Sequence, residues 1–186
     1  MSTSKDFSKG LPTQHNVLDG SKLRVLIVHA RWNEKIVGAL VNGAIEALVE
    51  RHQVPHDHIT IETVPGSYEL PFAARRLLDV STRSGAPRAI TATQYGYDAV
   101  ITIGVLIKGE TQHFEYISEA VTHGLTRVGL DTGVPVIFGV LTCLSDEQAL
   151  ARAGLTEKGH NHGLDWGSAA VEMALLGQAN VMPHTG

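Results

Sequence analysis

The sequence predicts an α/β protein, a three-layer α/β/α sandwich built on a four-stranded parallel sheet, and three observations predict it. Apolar runs of strand length alternate four times with segments of helical periodicity. The first run, "LRVLIVHA" (23–30), is almost wholly apolar, as expected for a strand covered on both faces rather than one. The chemically unusual residues then fall just after the strands ("RWN", "PGSYE", "KGETQH", "TCLS"), where the loops of a parallel sheet gather.

Each element has its own signal. After the strand at 23–30, "EKIVGALVNGAIEALVERH" sets Val37, Leu40, Val41, Ala44, Ile45 and Leu48 at helical spacing. A strand is expected at 59–64, a helix at about 71–84, a strand at 99–107, a helix at about 115–132 and a strand at 135–141. Two helices close the chain. "SDEQ" announces the first, with Ser145 and Gln148 as a capping box and acids in the first turn. The second is expected at about 164–176. Successive β-α units imply right-handed crossovers with helices on both sides of the sheet, a flavodoxin-like arrangement. Residues 1–22 are polar and rich in Ser, Gly, Asp and Lys, so a flexible arm is expected there, followed by one domain over 23–186. "STRSGAPRAITATQYG" (81–96) is long and turn-rich for an α-β connection and reads as a surface insertion far from the ligand-binding edge.

Composition narrows the function. With 186 residues, 43% apolar, the chain can fill one core and not two. A net charge of -4 offers no broad basic surface, which argues against nucleic acid and anionic membranes as partners. Cys143 is the single cysteine, so no intramolecular disulfide forms. No apolar run reaches the ~18 residues of a membrane span, the N-terminus lacks an apolar signal core, and a cytoplasmic location is expected.

Residues 104–111 read G-x-x-x-x-G-E-T, a phosphate loop without its lysine. Glu110 in that position would repel a nucleotide's terminal phosphates, but the turn's backbone N–H groups could still bind one phosphate; a plain glycine turn is the bland alternative. His113 follows, an imidazole able to take and give protons near neutrality, or else one more surface histidine among ten. Trp32 could stack on a ring or merely cover the core. Glu69 could accept hydrogen bonds from a polyol or simply serve a helix N-terminus. Arg152 suits a phosphate or a surface ion pair. His160 and His162, with His52, His56 and His58, invite a zinc reading, but no acid-and-histidine spacing of a known zinc site accompanies them, and no metal or cofactor is expected. The absence of G-x-S-x-G, C-x-x-C and G-x-G-x-x-G argues against serine hydrolysis, dithiol redox chemistry and dinucleotide binding.

Taken together, "ARWN", "VPGSYELPFAA", "GVLIKGETQHFEYI", "PVIFGVLTCLSDEQALARAG" and "HNHGLDWGSAAVEMA" resemble the lumazine synthase family in its fungal form, in order, over 23–176. The resemblance implies condensation of 5-amino-6-(D-ribitylamino)uracil with 3,4-dihydroxy-2-butanone 4-phosphate to 6,7-dimethyl-8-ribityllumazine, the penultimate step of riboflavin biosynthesis. It implies that His113 transfers protons and that Trp32 stacks on the pyrimidine. Ser67, Tyr68 and Glu69 would hold the ribityl chain, and Val105, Leu106 and Ile107 would read the pyrimidine edge through their backbone. Glu110 and Thr111 would hold the phosphate at the helix N-terminus, with the Glu110 carboxylate turned away. Phe138, after the fourth strand, and Arg152 would come from an adjacent subunit. Asn33 and His162, within the matching motifs, would also bind substrate. A homopentamer with sites between subunits follows, because the "GLTEKGHNHG" turn is longer than the form associated with sixty-subunit shells. Trp32 stands where bacterial relatives usually carry phenylalanine, which suggests that riboflavin also binds. The competing reading is a non-catalytic module for flavin or another flat heterocycle; a phosphate-ester hydrolase ranks last, lacking a nucleophile or metal set.

Overall fold

In a computed structural model of the chain, residues 18–83 and 95–177 are described. Four parallel strands, β1 (Val25–Ala30), β2 (Ile59–Val64), β3 (Ala99–Ile107) and β4 (Val136–Cys143), form one sheet in the order β2-β1-β3-β4. The helices are α1 (Glu34–Glu46), α2 (Leu70–Arg83), α3 (His113–Thr132), α4 (Asp146–Arg152) and α5 (His162–Ala174). A wider helical turn at Ala47–Arg51 extends α1. The expected α/β sandwich is present, with a core on each face of the sheet.

Alternation along the central strands feeds both cores. Val25 and Ile27 of β1 and Ile101, Ile103 and Val105 of β3 pack against α1, α4 and α5. Leu26, Val28 and Val100 point the other way, onto Leu70, Ala74 and Leu78 of α2 and Val121, Leu125 and Val128 of α3. The flanking strand β2 is less buried than β1: Ile61, Glu62 and Thr63 are exposed, as suits an edge strand.

Close approach explains the packing of α1 on α5. A side chain at Gly163 would begin 2.0 Å from the Leu40 carbonyl oxygen, so only glycine lets the two backbones meet there. Asn161 locks the contact, its amide donating to the Ala39 carbonyl while its Oδ1 accepts from the Gly163 N–H.

Several boundaries move. β4 runs to Cys143, paired with β3 through Ile107, so Phe138 lies within the fourth strand and not after it. α3 begins at His113 and α5 at His162, each two residues before its expected start. Residues 1–17 of the expected arm lie outside the described residues, whereas 18–22 fold on their own chain through Gly20, whose N–H donates to the His52 carbonyl. Of the expected insertion, 84–94 also lie outside. Its base does not: Ser81 remains helical and its hydroxyl accepts from the Gly96 N–H at 2.9 Å, just before β3 begins, away from the carboxyl edge of the sheet. Among the described residues no helix is long and apolar enough to cross a membrane.

Candidate active site at the carboxyl edge of the sheet

The strand order reverses beside β1, because the chain leaves it for β2 on one side and returns to β3 on the other. Open sheets of this kind leave a crevice at that point. Here a cleft of about 700 Å³ opens there, lined by the loops after β1 and β2, the end of β3, the first turns of α3 and Asp146 at the start of α4.

β3 supplies the floor. Its pairing with β1 stops at His29 and Ile103, but its pairing with β4 continues to Ile107 and Cys143. From Gly104 to Ile107, therefore, the strand keeps one neighbour and presents its other edge to the cleft. Peptide groups with no strand partner seek hydrogen bonds elsewhere. The Val105 carbonyl finds one in the Asn33 amide at 3.0 Å; Leu106 and Ile107 also line the cleft. Asn33 thus ties the β1 loop to β3, from a left-handed conformation (φ 58°) that asparagine tolerates better than most residues.

Trp32 is 72% exposed, so it is no cover for the core. Its indole sits over the Gly66 turn, where an added side chain would meet the ring at 3.4 Å. Tyr68 is likewise exposed on the cleft wall. Glu69 closes the turn, its Oε2 accepting from the Gly66 N–H at 2.9 Å, which leaves the second carboxylate oxygen for other partners.

Ser67 behaves differently. It is 4% exposed, and among the described residues its hydroxyl has no hydrogen-bond partner although it lines the cleft. Gly104 makes room for it, since a Cβ there would lie 2.4 Å from the hydroxyl oxygen. A buried polar group left unpaired costs about 1–3 kcal/mol, so the position is one that a bound hydroxyl or amide would complete.

His113 is the first residue of α3, exposed at the cleft rim, and its N–H donates weakly to the Thr111 hydroxyl at 3.4 Å. Gln112 offers no side-chain cap, which leaves the helix N-terminus open to an anion. Glu110 and Thr111 are exposed in the loop just before it and do not line the cleft itself. Gly109 has no positive φ and would meet nothing within 4 Å if it carried a Cβ, so neither backbone conformation nor internal packing demands glycine there. Lys108 ion-pairs with Glu115, holding that carboxyl below its usual range and bracing the loop on α3.

The other expected residues lie elsewhere. Phe138 is partly exposed on the edge strand β4, Arg152 ends α4 with its guanidinium donating to the Gln148 carbonyl, and His162 opens α5. None of the three lines the cleft. Arg152 acts electrostatically on His162, whose imidazole is held below its ordinary pKa first by burial and then by His160 and Arg152, against the opposing pull of Asp165.

Pro65, Gly66, Ile117 and Asp146 also line the cleft and were missed from sequence. Ile117 had a readable signal, standing four residues after His113 on the same helix face. Asp146 looked like a helix-capping acid only, and the Ser145 cap does form, its hydroxyl accepting from the Gln148 N–H.

A family model for 6,7-dimethyl-8-ribityllumazine synthase matches residues 22–178. A protein of that name from Schizosaccharomyces pombe is 60% identical over 158 residues, covering 85% of this chain and 90% of its own. One from Pyricularia oryzae is 52% identical over 88% of this chain and 91% of its own, and one from Streptomyces avermitilis 43% identical over 89% and 91%.

Proposed function

The chain belongs to the 6,7-dimethyl-8-ribityllumazine synthase family, and on that premise we propose that it condenses 5-amino-6-(D-ribitylamino)uracil with 3,4-dihydroxy-2-butanone 4-phosphate at this cleft. The observation that carries the reading is the convergence of Trp32, the unpartnered Ser67 hydroxyl, the free edge of β3 and His113 on one cavity. Trp32 offers a flat face to the pyrimidine, and the edge of β3 offers backbone groups to its polar rim. Ser67 and the free oxygen of Glu69 suit ribityl hydroxyls.

The chemistry asks for alignment more than for activation. The aromatic amine attacks the ketone carbon and water leaves to give an imine; phosphate is then eliminated to leave an enol that tautomerises to a new ketone, and the ribityl-bearing nitrogen attacks that carbonyl and expels a second water to close the ring. His113, at the rim, carries protons between these steps. Holding two reactants in place is worth up to ~7–11 kcal/mol, whereas a proton-transfer group gives ~10²–10⁴-fold.

Charge makes the cleft half of a site. Among the described residues its lining includes the acids Glu69 and Asp146 and no lysine or arginine, so these residues do not neutralise a phosphate. The open Gly109 and the uncapped helix at Gln112 leave backbone N–H groups for it, and a guanidinium must come from outside. Arg152, with Phe138 and His162, lies off the cleft of its own chain, as a neighbour's contribution would. A homopentamer, each cleft completed by the next copy, is the assembly this reading requires. Mixing the purified protein with both substrates should produce the lumazine absorbance; a folded protein that yields no product would overturn the reading.

The same exposed indole suits riboflavin, a flat product-like ligand. Titration should quench flavin fluorescence, and Trp32→Ala should abolish most of the effect; unquenched flavin would exclude this part of the reading.

A further inference from the structure

Three side chains outside the cleft converge on one point. His160 Nε2 lies 2.7 Å from Asp165 Oδ2, and His162 Nδ1 lies 3.3 Å from the same oxygen. The two imidazoles meet edge to face with centroids 5.2 Å apart, and one donor atom from each of the three residues falls within 4.8 Å of the others. All three residues are partly buried.

We propose that His160, His162 and Asp165 bind a divalent transition-metal ion, with zinc the best match. Two imidazole nitrogens and one carboxylate oxygen suit zinc, copper or nickel, whereas magnesium and calcium prefer oxygen alone. Metal bonds of about 2.0–2.1 Å in a tetrahedron separate donors by about 3.3 Å. His162 and Asp165 already stand at that separation, and the closer His160–Asp165 contact opens by about half an ångström as the ion displaces the proton the two groups share. Three ligands leave a fourth position for water or an anion. Arg152, close enough to influence His162, favours an anion there and offsets part of the cation's attraction.

The backbone holds the ligands in place before any ion arrives. The His160 N–H donates to the Ala151 carbonyl at 2.9 Å, and Asn161 bridges to Ala153 and, through its side chain, to Ala39 and Gly163. A side chain on Gly159 would begin 2.5 Å from the Ala151 oxygen, so the turn carrying His160 is pressed against α4. Asp165 follows His162 by three residues on α5, which puts both on one helix face. That acid is what the zinc reading from sequence lacked. His52 and His58, included in that reading, are engaged elsewhere, each ring beside a backbone carbonyl, of Leu18 and Leu23.

All three ligands come from one chain, so metal binding can be read without either substrate. The test is titration of the intact, chelator-treated protein with Zn²⁺ by calorimetry and with Co²⁺ by visible absorption. One saturable equivalent per chain is expected, with the intense cobalt bands of a tetrahedral site and no competition from Mg²⁺. His160→Gln should weaken binding by at least about 100-fold, more than the loss of an outer-sphere partner costs, and Asp165→Asn should do the same if it folds. The double change His56→Gln, His123→Gln, at exposed histidines elsewhere, should leave binding intact. No saturable binding, equal competition by Mg²⁺, or binding that survives His160→Gln would overturn the assignment.

Discussion

At the scale of single residues, Ser67 separates binding from folding. Its hydroxyl is buried without a partner among the described residues, so it contributes nothing to the free protein that a methyl group would not. Ser67→Ala should leave thermal stability unchanged or slightly raised. It should weaken the ribitylaminouracil by about 1 kcal/mol, roughly fivefold in Kd by calorimetry. A variant that loses stability and binds normally would show that the hydroxyl serves the fold. His113 carries a different expectation. If alignment supplies most of the rate, His113→Ala should slow turnover by about 10²–10⁴-fold and still outpace the uncatalysed condensation. Abolition of all activity in a correctly assembled protein would give the imidazole a larger role. Trp32 and His113 were legible from sequence because each follows a strand in a parallel sheet. Ser67's lack of a partner was not, since it depends on how closely Gly104 lets the β2 loop approach β3.

At the scale of elements, the central strands were readable because β1 and β3 are largely buried on both faces and therefore almost wholly apolar, His29 and Thr102 excepted. Helix starts were less so. α3 begins at Gln112 and His113 with no side-chain cap, so the usual Ser/Thr/Asp/Asn signal is missing. β4 hid its length because Thr142 and Cys143 look like loop residues yet pair with Leu106 and Ile107. The overhang of β3 beyond β1 forms the floor of the cleft. It is a matter of register, which apolar composition does not specify. The start of α5 predicts a pH effect. Burial favours the neutral imidazole of His162, so its pKa is lower folded than unfolded. At pH above the ordinary histidine value both states are neutral there and stability is unaffected. As pH falls through that value the unfolded chain takes the proton first, and stability declines until the folded pKa is passed. Melting temperature should therefore fall less steeply on mild acidification in His162→Asn than in the wild type. Parallel curves for the two proteins would remove the effect from His162.

At the scale of the whole molecule, the proposed reading makes one chain's cleft half of a site, and the fold is consistent with it. The crevice beside β1 gathers an aromatic face, hydroxyls, backbone groups and acids, while Arg152 and Phe138 are placed on α4 and the sheet edge β4. On the proposed reading, a phosphate-bearing substrate needs both sets. The sequence placed the cleft residues together through chain order alone. The separation of Arg152 and Phe138 was legible only through resemblance, because composition and periodicity say nothing about which surface a second copy covers. The most direct measurement is complementation between two defective chains, Trp32→Ala/His113→Ala and Arg152→Ala, each of low activity alone. Refolded together in equal amounts, they should regain lumazine formation to about a quarter of wild type, the share of interfaces that pair an intact cleft with an intact Arg152. Mixed assemblies with no more activity than the sum of the two parents would contradict a site shared between copies.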